Sequence, residues 1–553
     1  MHTQTELIPY VAQALRENFE RPAFSNIQGK SYSYQAVAEN IARYHLMFEH
    51  MGVNPGDKVA LCARNCAEWG IGALAVLTFG GVCVPILRDF KPENVQDLVR
   101  HSEAKVLLTD DSMWKHLDAT QMPALQAAFY VGEFSPVFAH RKEVAETCGR
   151  LDRLFVERYP KGFSASDIKF RTENAQAPAL INYTSGSTGQ PKGVVLTFGN
   201  LWSNIQYSID GLDFLKPGDG MVCMLPLAHM FGFTIEMLHP FVKGCHVNFL
   251  TRTPAPKIIL GAFAQVRPKL IVTVPLILEK IVRTQIFPTI NKPSMKLLLH
   301  LPIVGKRIYG KVRQKLVDAF GGNVLEIIVG GAALSTDVEH FLRKIKFPVT
   351  VGYGMTECGP LIAYAPWNVR KPGSCGRIVD RMEAKVDSPD PTRIPGVLKV
   401  RGANVMNGYF HNEEATAQTI DSDGWMSTGD IVLIDSDGFV TIKGREKNMI
   451  LGPSGQNIYP EEIEFKLNRE PYVAEALVVD IDGKLTALIH PDFDAAEAQN
   501  LDRAAIEKIM EENIAKVNGE LPAYSKLAGF KIYDEEFEKT PKRSVKRYLY
   551  QRG

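Results

Sequence analysis

The stretch Tyr183-Thr-Ser-Gly-Ser-Thr-Gly-Gln-Pro-Lys-Gly193 holds the densest chemistry in the chain. Thr184, Ser185, Gly186, Ser187, Thr188 and Gly189 place four aliphatic hydroxyls and two glycines side by side, and Lys192 follows. Glycines let a backbone approach an anion closely, and successive N–H groups form a nest for phosphate. The hydroxyls add donors, and Lys192 neutralises charge on a polyphosphate. A Walker loop needs Gly-Lys-Ser/Thr at its end. Here Pro191 precedes the lysine and Gly193 follows it, so the loop is of another kind. By composition alone, the same residues also read as a flexible Gly/Ser loop.

Two further clusters stand at the ends of apolar runs. Gly352-Tyr-Gly-Met-Thr-Glu357 follows residues 347–351, and Gly330-Gly-Ala-Ala-Leu334 follows residues 325–329. In open α/β sheets, ligands bind beyond the carboxyl ends of strands. Tyr353 supplies a stacking face, Thr356 a phosphate donor and Glu357 a magnesium ligand. Taken alone, each cluster also reads as a tight turn.

The surrounding elements suit such a site. Helical patterns at 34–51, 67–79 and 95–101 alternate with apolar runs at 58–62, 82–86 and 105–109. The alternation predicts βαβ units and a parallel sheet, and it returns at 269–274, 324–329 and 348–351. From about residue 372, short strands at 396–401, 431–435 and 439–442 predict a small β-rich subdomain. Ser436-Asp437-Gly438 turns a hairpin there with a loop of two or three residues. Beyond 444 the pattern mixes again, with helices at 461–469 and 503–517 and strands at 474–479 and 485–490. The expected fold class is α/β. A large N-terminal domain spans 1–444, with the β-rich subdomain at about 372–444. A small α+β C-terminal domain spans 445–553.

Bulk properties narrow the function. The 553 residues exceed one compact core. Formal net charge is +1, which gives no global case for nucleic acid. The eight cysteines are scattered, without C-x-x-C pairs or zinc spacing. The first residues carry no signal-peptide core, and no run of 18 apolar residues predicts a spanning helix. A reduced, cytoplasmic protein is expected.

With these clusters in this order, the chain resembles the adenylate-forming superfamily of acyl-CoA synthetases, luciferases and nonribosomal-peptide adenylation domains. The likeness runs from about residue 31 to the C-terminus and is strongest to long-chain fatty acyl-CoA synthetases. It includes Leu225-Pro-Leu-Ala-His229, Trp425-Met-Ser-Thr-Gly-Asp430, Gly444-Arg-Glu-Lys-Asn448 and Gly455-Gln-Asn-Ile-Tyr-Pro-Glu-Glu-Ile-Glu464.

The resemblance implies roles, position by position. Residues 184–189 and Lys192 hold the ATP triphosphate. Gly331, Ala332 and Ala333 lie along adenine, and Tyr353, with Gly354 beside it, packs on the base. Thr356 lies near the α-phosphate, and Thr184 and Glu357 hold Mg2+. Asp430 binds the ribose hydroxyls, assisted by Arg445. His229 lies near the substrate carboxylate, although it also reads as a satisfied core histidine. Lys447 marks a hinge about which a mobile C-terminal domain rotates between half-reactions, carrying 452–456 to the site. Asn448 stands where many relatives have aspartate. Relatives often carry a C-terminal lysine that meets the forming acyl phosphate. Here Ser544 occupies its place, with Lys542 and Lys546 two residues to either side. In an extended segment both share the Ser544 face, and Lys542 is slightly favoured.

The implied reaction joins a medium- to long-chain fatty acid to AMP, expels pyrophosphate, and passes the acyl group to coenzyme A. A carrier protein's phosphopantetheine is the alternative acceptor, and a catalytically weakened acyl- or nucleotide-binding protein is the alternative of another class. Residues 281–316 contain eight Lys/Arg and no Asp/Glu, interleaved with apolar residues. Such a stretch fits peripheral contact with an anionic membrane. It also reads as a helical face packed on the domain.

Overall fold

Lys58–Cys62, Val82–Pro85 and Val106–Thr109 are short apolar strands, almost entirely buried. Burial on both faces is what a parallel sheet beneath helices requires, so these runs do not alternate polar with apolar. They pair in parallel within an eight-stranded sheet. Its order is Gly408–Tyr409, Pro191–Thr197, Pro178–Ser185, Val82–Pro85, Lys58–Cys62, Val106–Thr109, Ala127–Tyr130 and Pro136–Ala139. The helix Ala67–Phe79 connects two of these strands and is buried around nearly its whole surface. Its hydrophobicity on all sides is that of a core helix.

The computed structural model describes residues 7–185, 191–451, 456–540 and 545–551. The chain divides into two units, Met1–Glu383 with Arg401–Gly424, and Ala384–Val400 with Trp425–Gly553. The first unit also holds a four-stranded sheet and a three-stranded parallel sheet, Leu270–Thr273, Glu326–Val329 and Val349–Val351. The α/β class and its parallel sheets are as the sequence predicts. One excursion departs from the expected β-rich subdomain. Residues 401–424 group with the first unit, where Gly408–Tyr409 pairs with Pro191–Thr197 and extends that sheet. Pairing satisfies an edge that would otherwise present unpaired backbone groups.

A four-stranded sheet lies mainly in the second unit, in the order Met382–Asp387, Gly396–Gly402, Met426–Ile434 and Val440–Arg445. Its last hairpin encloses three residues, because Asp435 N donates to Phe439 O (3.1 Å). The Asp435 carboxylate then accepts from Asp437 N and Phe439 N, an Asx-type turn. The C-terminal sheet joins Val473–Ile481, Lys484–Pro491 and Gly529–Ile532, packed on helices Pro460–Leu467 and Arg503–Glu520.

One ion pair ties the end of this fold to its core. Arg547 forks onto Glu464 at 2.7 and 2.6 Å and donates to Val478 O (3.0 Å). Glu464 also accepts from Val478 N (2.6 Å). Burial pushes the Glu464 carboxyl above its usual range, against the pull of Arg547. Removing one member of a buried pair leaves the other charge uncompensated, at a cost of about 3–5 kcal/mol. Arg547→Met is therefore expected to lower the urea midpoint of the full chain by an amount in that range. The double substitution Glu464→Leu/Arg547→Met recovers most of the loss. Equal midpoints for wild type and Arg547→Met would contradict this account.

Candidate active site

Antiparallel pairing places the first motif. Pro178–Ser185 and Pro191–Thr197 run antiparallel, with Thr184 opposite Lys192 and Ser185 opposite Pro191. Gly186, Ser187, Thr188 and Gly189 lie outside the described residues. The Tyr183 ring is buried and its hydroxyl bonds His101 Nδ1 (2.7 Å), so the motif's first residue anchors the strand in the core. Thr184 Oγ1 donates to Lys192 O across the pair at 3.5 Å.

The two glycine clusters leave neighbouring parallel strands. Glu326–Val329 runs into Gly330–Ala333, and Val349–Val351 runs into Gly352–Glu357, so both emerge at carboxyl ends. Gly331, Ala332 and Ala333 are exposed, Thr356 is half-buried and Tyr353 is buried. Gly354 admits no side chain, because a Cβ there would lie 2.1 Å from Pro360 O. Glu357 sits in the 3-10 turn Thr356–Cys358 and is nearly buried.

Tyr409 joins the two motifs, and the sequence analysis did not single it out. Its hydroxyl donates to Glu357 Oε1 (3.1 Å), and the Lys192 ammonium lies 4.9 Å from its ring centroid. Burial, reinforced by the Glu357 charge, raises the Tyr409 hydroxyl above its usual range and keeps it a donor. The separation of some 220 residues between Lys192 and Tyr409 hides this contact in sequence. Only the joining of Gly408–Tyr409 to the hairpin edge creates it. Thr184 and Glu357 offer a hydroxyl and a carboxylate, oxygen donors of the type magnesium prefers. Among the described residues, no group of three or more His, Cys, Asp or Glu is placed to hold a metal by itself.

Buried amides hold the loops. Asn182, beside Tyr183, donates to Ala228 O (2.8 Å), next to His229. Asn204 donates to Cys358 O (3.0 Å) and accepts from Leu361 N (2.9 Å), bracketing the turn after Glu357. Asn404 donates to Leu361 O (2.7 Å). His229 is half-buried in a turn closed by its own N–H on Pro226 O (2.9 Å). The signal for these amides was present as asparagines within apolar runs, such as Ala-Leu-Ile-Asn182.

In the second unit, Asp430 and Arg445 are cross-strand partners. Arg445 Nε meets Asp430 Oδ1 at 2.8 Å, with the carboxylate buried and the guanidinium half-exposed. Lys447 is exposed in the 3-10 turn Glu446–Asn448. Asn448 donates to Glu461 Oε1 (2.6 Å). Lys542, Ser544 and residues 452–455 lie outside the described residues. Lys546 departs from the expected extended segment. It caps the 3-10 turn Arg547–Leu549, because its N–H bonds Glu538 O (2.8 Å) and its ammonium pairs with Glu538 at 2.9 Å.

Comparison with known proteins places this arrangement. Residues 11–410 match the AMP-binding enzyme family, and residues 447–552 match the AMP-binding enzyme C-terminal domain. The long-chain-fatty-acid–CoA ligase FadD15 of Mycobacterium bovis is 30% identical over 480 residues, covering 81% of this chain and 75% of that protein. The 4-coumarate–CoA ligase 2 of Oryza sativa is 27% identical over 521 residues, covering 90% and 84%. The fold matches the ATP-bound MatB structure from Rhodopseudomonas palustris with a TM-score of 0.76 at 23% identity, covering 99% and 98%. The chain belongs to the AMP-binding, adenylate-forming enzyme family, in which acyl- and aryl-CoA ligases are its relatives.

Proposed function

We propose that this chain is an ATP-dependent acyl-CoA synthetase that activates a medium- to long-chain fatty acid. The observation that carries the nucleotide chemistry is Tyr409, which links Lys192 of the hydroxyl-rich hairpin to Glu357 of the second cluster. Two motifs read separately as phosphate-binding thereby share one side chain. A carboxylate is a poor electrophile at neutral pH. Its oxygen attacks the α-phosphorus of ATP, the bond to the β-phosphate oxygen breaks, and pyrophosphate leaves. Lys192 and the N–H groups of 184–189 offset charge developing on the phosphoryl oxygens. Thr184 and Glu357 would hold Mg2+, which supplies Lewis-acid stabilisation there. Gly331, Ala332 and Ala333 lie along adenine in this reading, with Tyr353 and Gly354 at the base and Thr356 near the α-phosphate. Asp430 and Arg445 engage the ribose, and His229 the acid. The thiol of coenzyme A then attacks the acyl carbon, and AMP leaves. A hinge at Lys447, between domains 1–444 and 445–553, gives the two steps different surroundings.

Fatty acid is favoured over aromatic acids by the FadD15 likeness and by one surface. Helices Pro293–His300 and Pro302–Ala319 expose Leu297 and Ile303 at 72% each, with Leu298, Leu301 and Val304 also exposed. The eight Lys/Arg of 281–316, without a single acidic residue, complement an anionic bilayer. No helix among the described residues is long and apolar enough to cross a membrane. The surface suits peripheral docking of a cytoplasmic enzyme.

Several measurements test the reading. ATP–pyrophosphate exchange over a panel of fatty, cinnamic and benzoic acids should be supported best by fatty acids. Exchange confined to aromatic acids, or absent with every acid, overturns it, and thioester formation with free CoA against holo-carrier protein identifies the acceptor. Tyr409→Phe keeps the ring under Lys192 but releases Glu357, and should lower exchange by about tenfold, the cost of one hydrogen bond to a charged group. Lys542→Ala should slow adenylation more than Lys546→Ala, and equal rates in both variants and wild type would remove the lysine assignment. Finally, the chain should sediment with vesicles of phosphatidylcholine and phosphatidylglycerol. A Leu297→Asp/Ile303→Asp variant, or 1 M salt (Debye length about 3 Å), should abolish that binding.

A further inference from the structure

The segment Leu225-Pro-Leu-Ala-His229 leaves the strand Gly220–Cys223 at its carboxyl end, beyond the last sheet bond. Its backbone groups are met by side chains instead. Asn65 donates to Leu225 O (2.6 Å) and accepts from Leu227 N (3.0 Å). Asn182 holds Ala228 O. Glu236 Oε2 accepts from Leu225 N (2.8 Å) and Met224 N (3.1 Å). Three polar side chains, from three distant parts of the chain, converge on one short segment.

Glu236 is the most costly of the three. It is fully buried, among the apolar residues of Gly232–Leu238, and among the described residues neither the nucleotide chemistry nor an ion pair accounts for it. Burial pushes its carboxyl well above the usual range, against the pull of the Leu225 amide and the Cys223 thiol. A buried acid persists where the surrounding structure needs its bonds. The helix that carries it is a π-helix, a rare form in which an extra residue shifts the facing side chains. That helix starts against the same segment, since a Cβ on Gly232 would lie 2.7 Å from Pro226 O. Its other contacts reach two further loops. The Phe231 ring, just before it, closes on Gly330, and Thr234 Oγ1 donates to Gly359 O (3.2 Å).

We propose that Glu236 is a positioning residue for the His229 segment, and that through it the enzyme sets its affinity for the acid rather than for ATP. The proposal rests on the reading of His229 as the acid-side residue. Its two bonds act at the root of the segment, so losing them displaces the arm that carries His229. The hairpin, with Thr184 and Lys192, is held by its own strand pairing and by Tyr409.

The test measures KM for acid and for ATP separately in the exchange reaction, using the full chain and the best acid of the panel. Glu236→Met keeps the shape without an acceptor, and should raise KM for the acid by about tenfold with KM for ATP within about twofold. Glu236→Gln restores an acceptor oxygen in a neutral side chain, and should return KM for the acid to within about threefold of wild type. Unchanged constants in Glu236→Met overturn the proposal, as does a parallel rise for acid and ATP, or a Gln variant no better than Met. If the Met variant does not fold, Glu236→Asp, which shortens the reach, must show the same selective rise, and its absence overturns the proposal. Absence of exchange in the wild type would instead strike the proposed function.

Discussion

A loop that leaves the end of a strand to meet a ligand loses its sheet partners, and its backbone groups must still be paired. An unpaired buried amide costs about 1–3 kcal/mol, more than a typical hydrogen bond contributes. Here buried side chains take over from the sheet. Asn182, Asn204, Asn404 and Glu236 each reach from an apolar setting to main-chain groups of a loop. Asn200 does the same for Ala403 O and Val405 O, just before Gly408–Tyr409. The arrangement gives the loops fixed shapes without a hydrophobic core of their own. The placement of His229, Glu357 and Tyr409 depends on it.

Strand pairing arranges the charged groups. Antiparallel register sets Thr184 beside Lys192 in one unit and Asp430 beside Arg445 in the other. Neighbours across antiparallel strands have Cβ atoms about 4.5–5.5 Å apart, close enough for hydroxyl, ammonium, carboxylate and guanidinium to act in pairs. The Asp430–Arg445 pair has a buried carboxylate and a half-exposed guanidinium, so it presents its cationic side to solvent. Lys192 lies over an aromatic face, and among the described residues no carboxylate pairs with it, which leaves its charge for an anion.

The C-terminal region follows a different logic. Its β-sheet and helices bury a compact apolar cluster, and Arg547 brings the last residues back onto it through Glu464. The neighbouring Lys546 is held at the surface by Glu538. Lys539 and Val545 form an antiparallel bridge. Two adjacent basic residues thus have separate duties, one in the core and one at the surface. Their side-by-side positions in sequence could not separate them, because burial and not residue type decides which pairing dominates.

The parallel strands, the helices between them and the motif order were legible in the amino-acid sequence, because short apolar runs and glycine clusters are local signals. The Asp430–Arg445 partnership was also within reach, since a hairpin turn at 436–438 brings nearby residues together. Tyr409, the buried asparagines and Glu236 were not. Tyr409 and the asparagines act on residues far away in sequence, Glu236 folds back onto Met224 and Leu225 through a turn with no periodic signal, and a polar residue in an apolar run looks the same whether it is stranded or satisfied. Tyr409 gains its place when 401–424 returns to the edge of the first sheet, a packing choice made by an unpaired strand edge. Local chemistry and periodicity therefore determined the elements and the candidate ligands. Tertiary packing alone decided which buried polar groups hold them in register, because hydrogen bonds between distant segments leave no periodic trace.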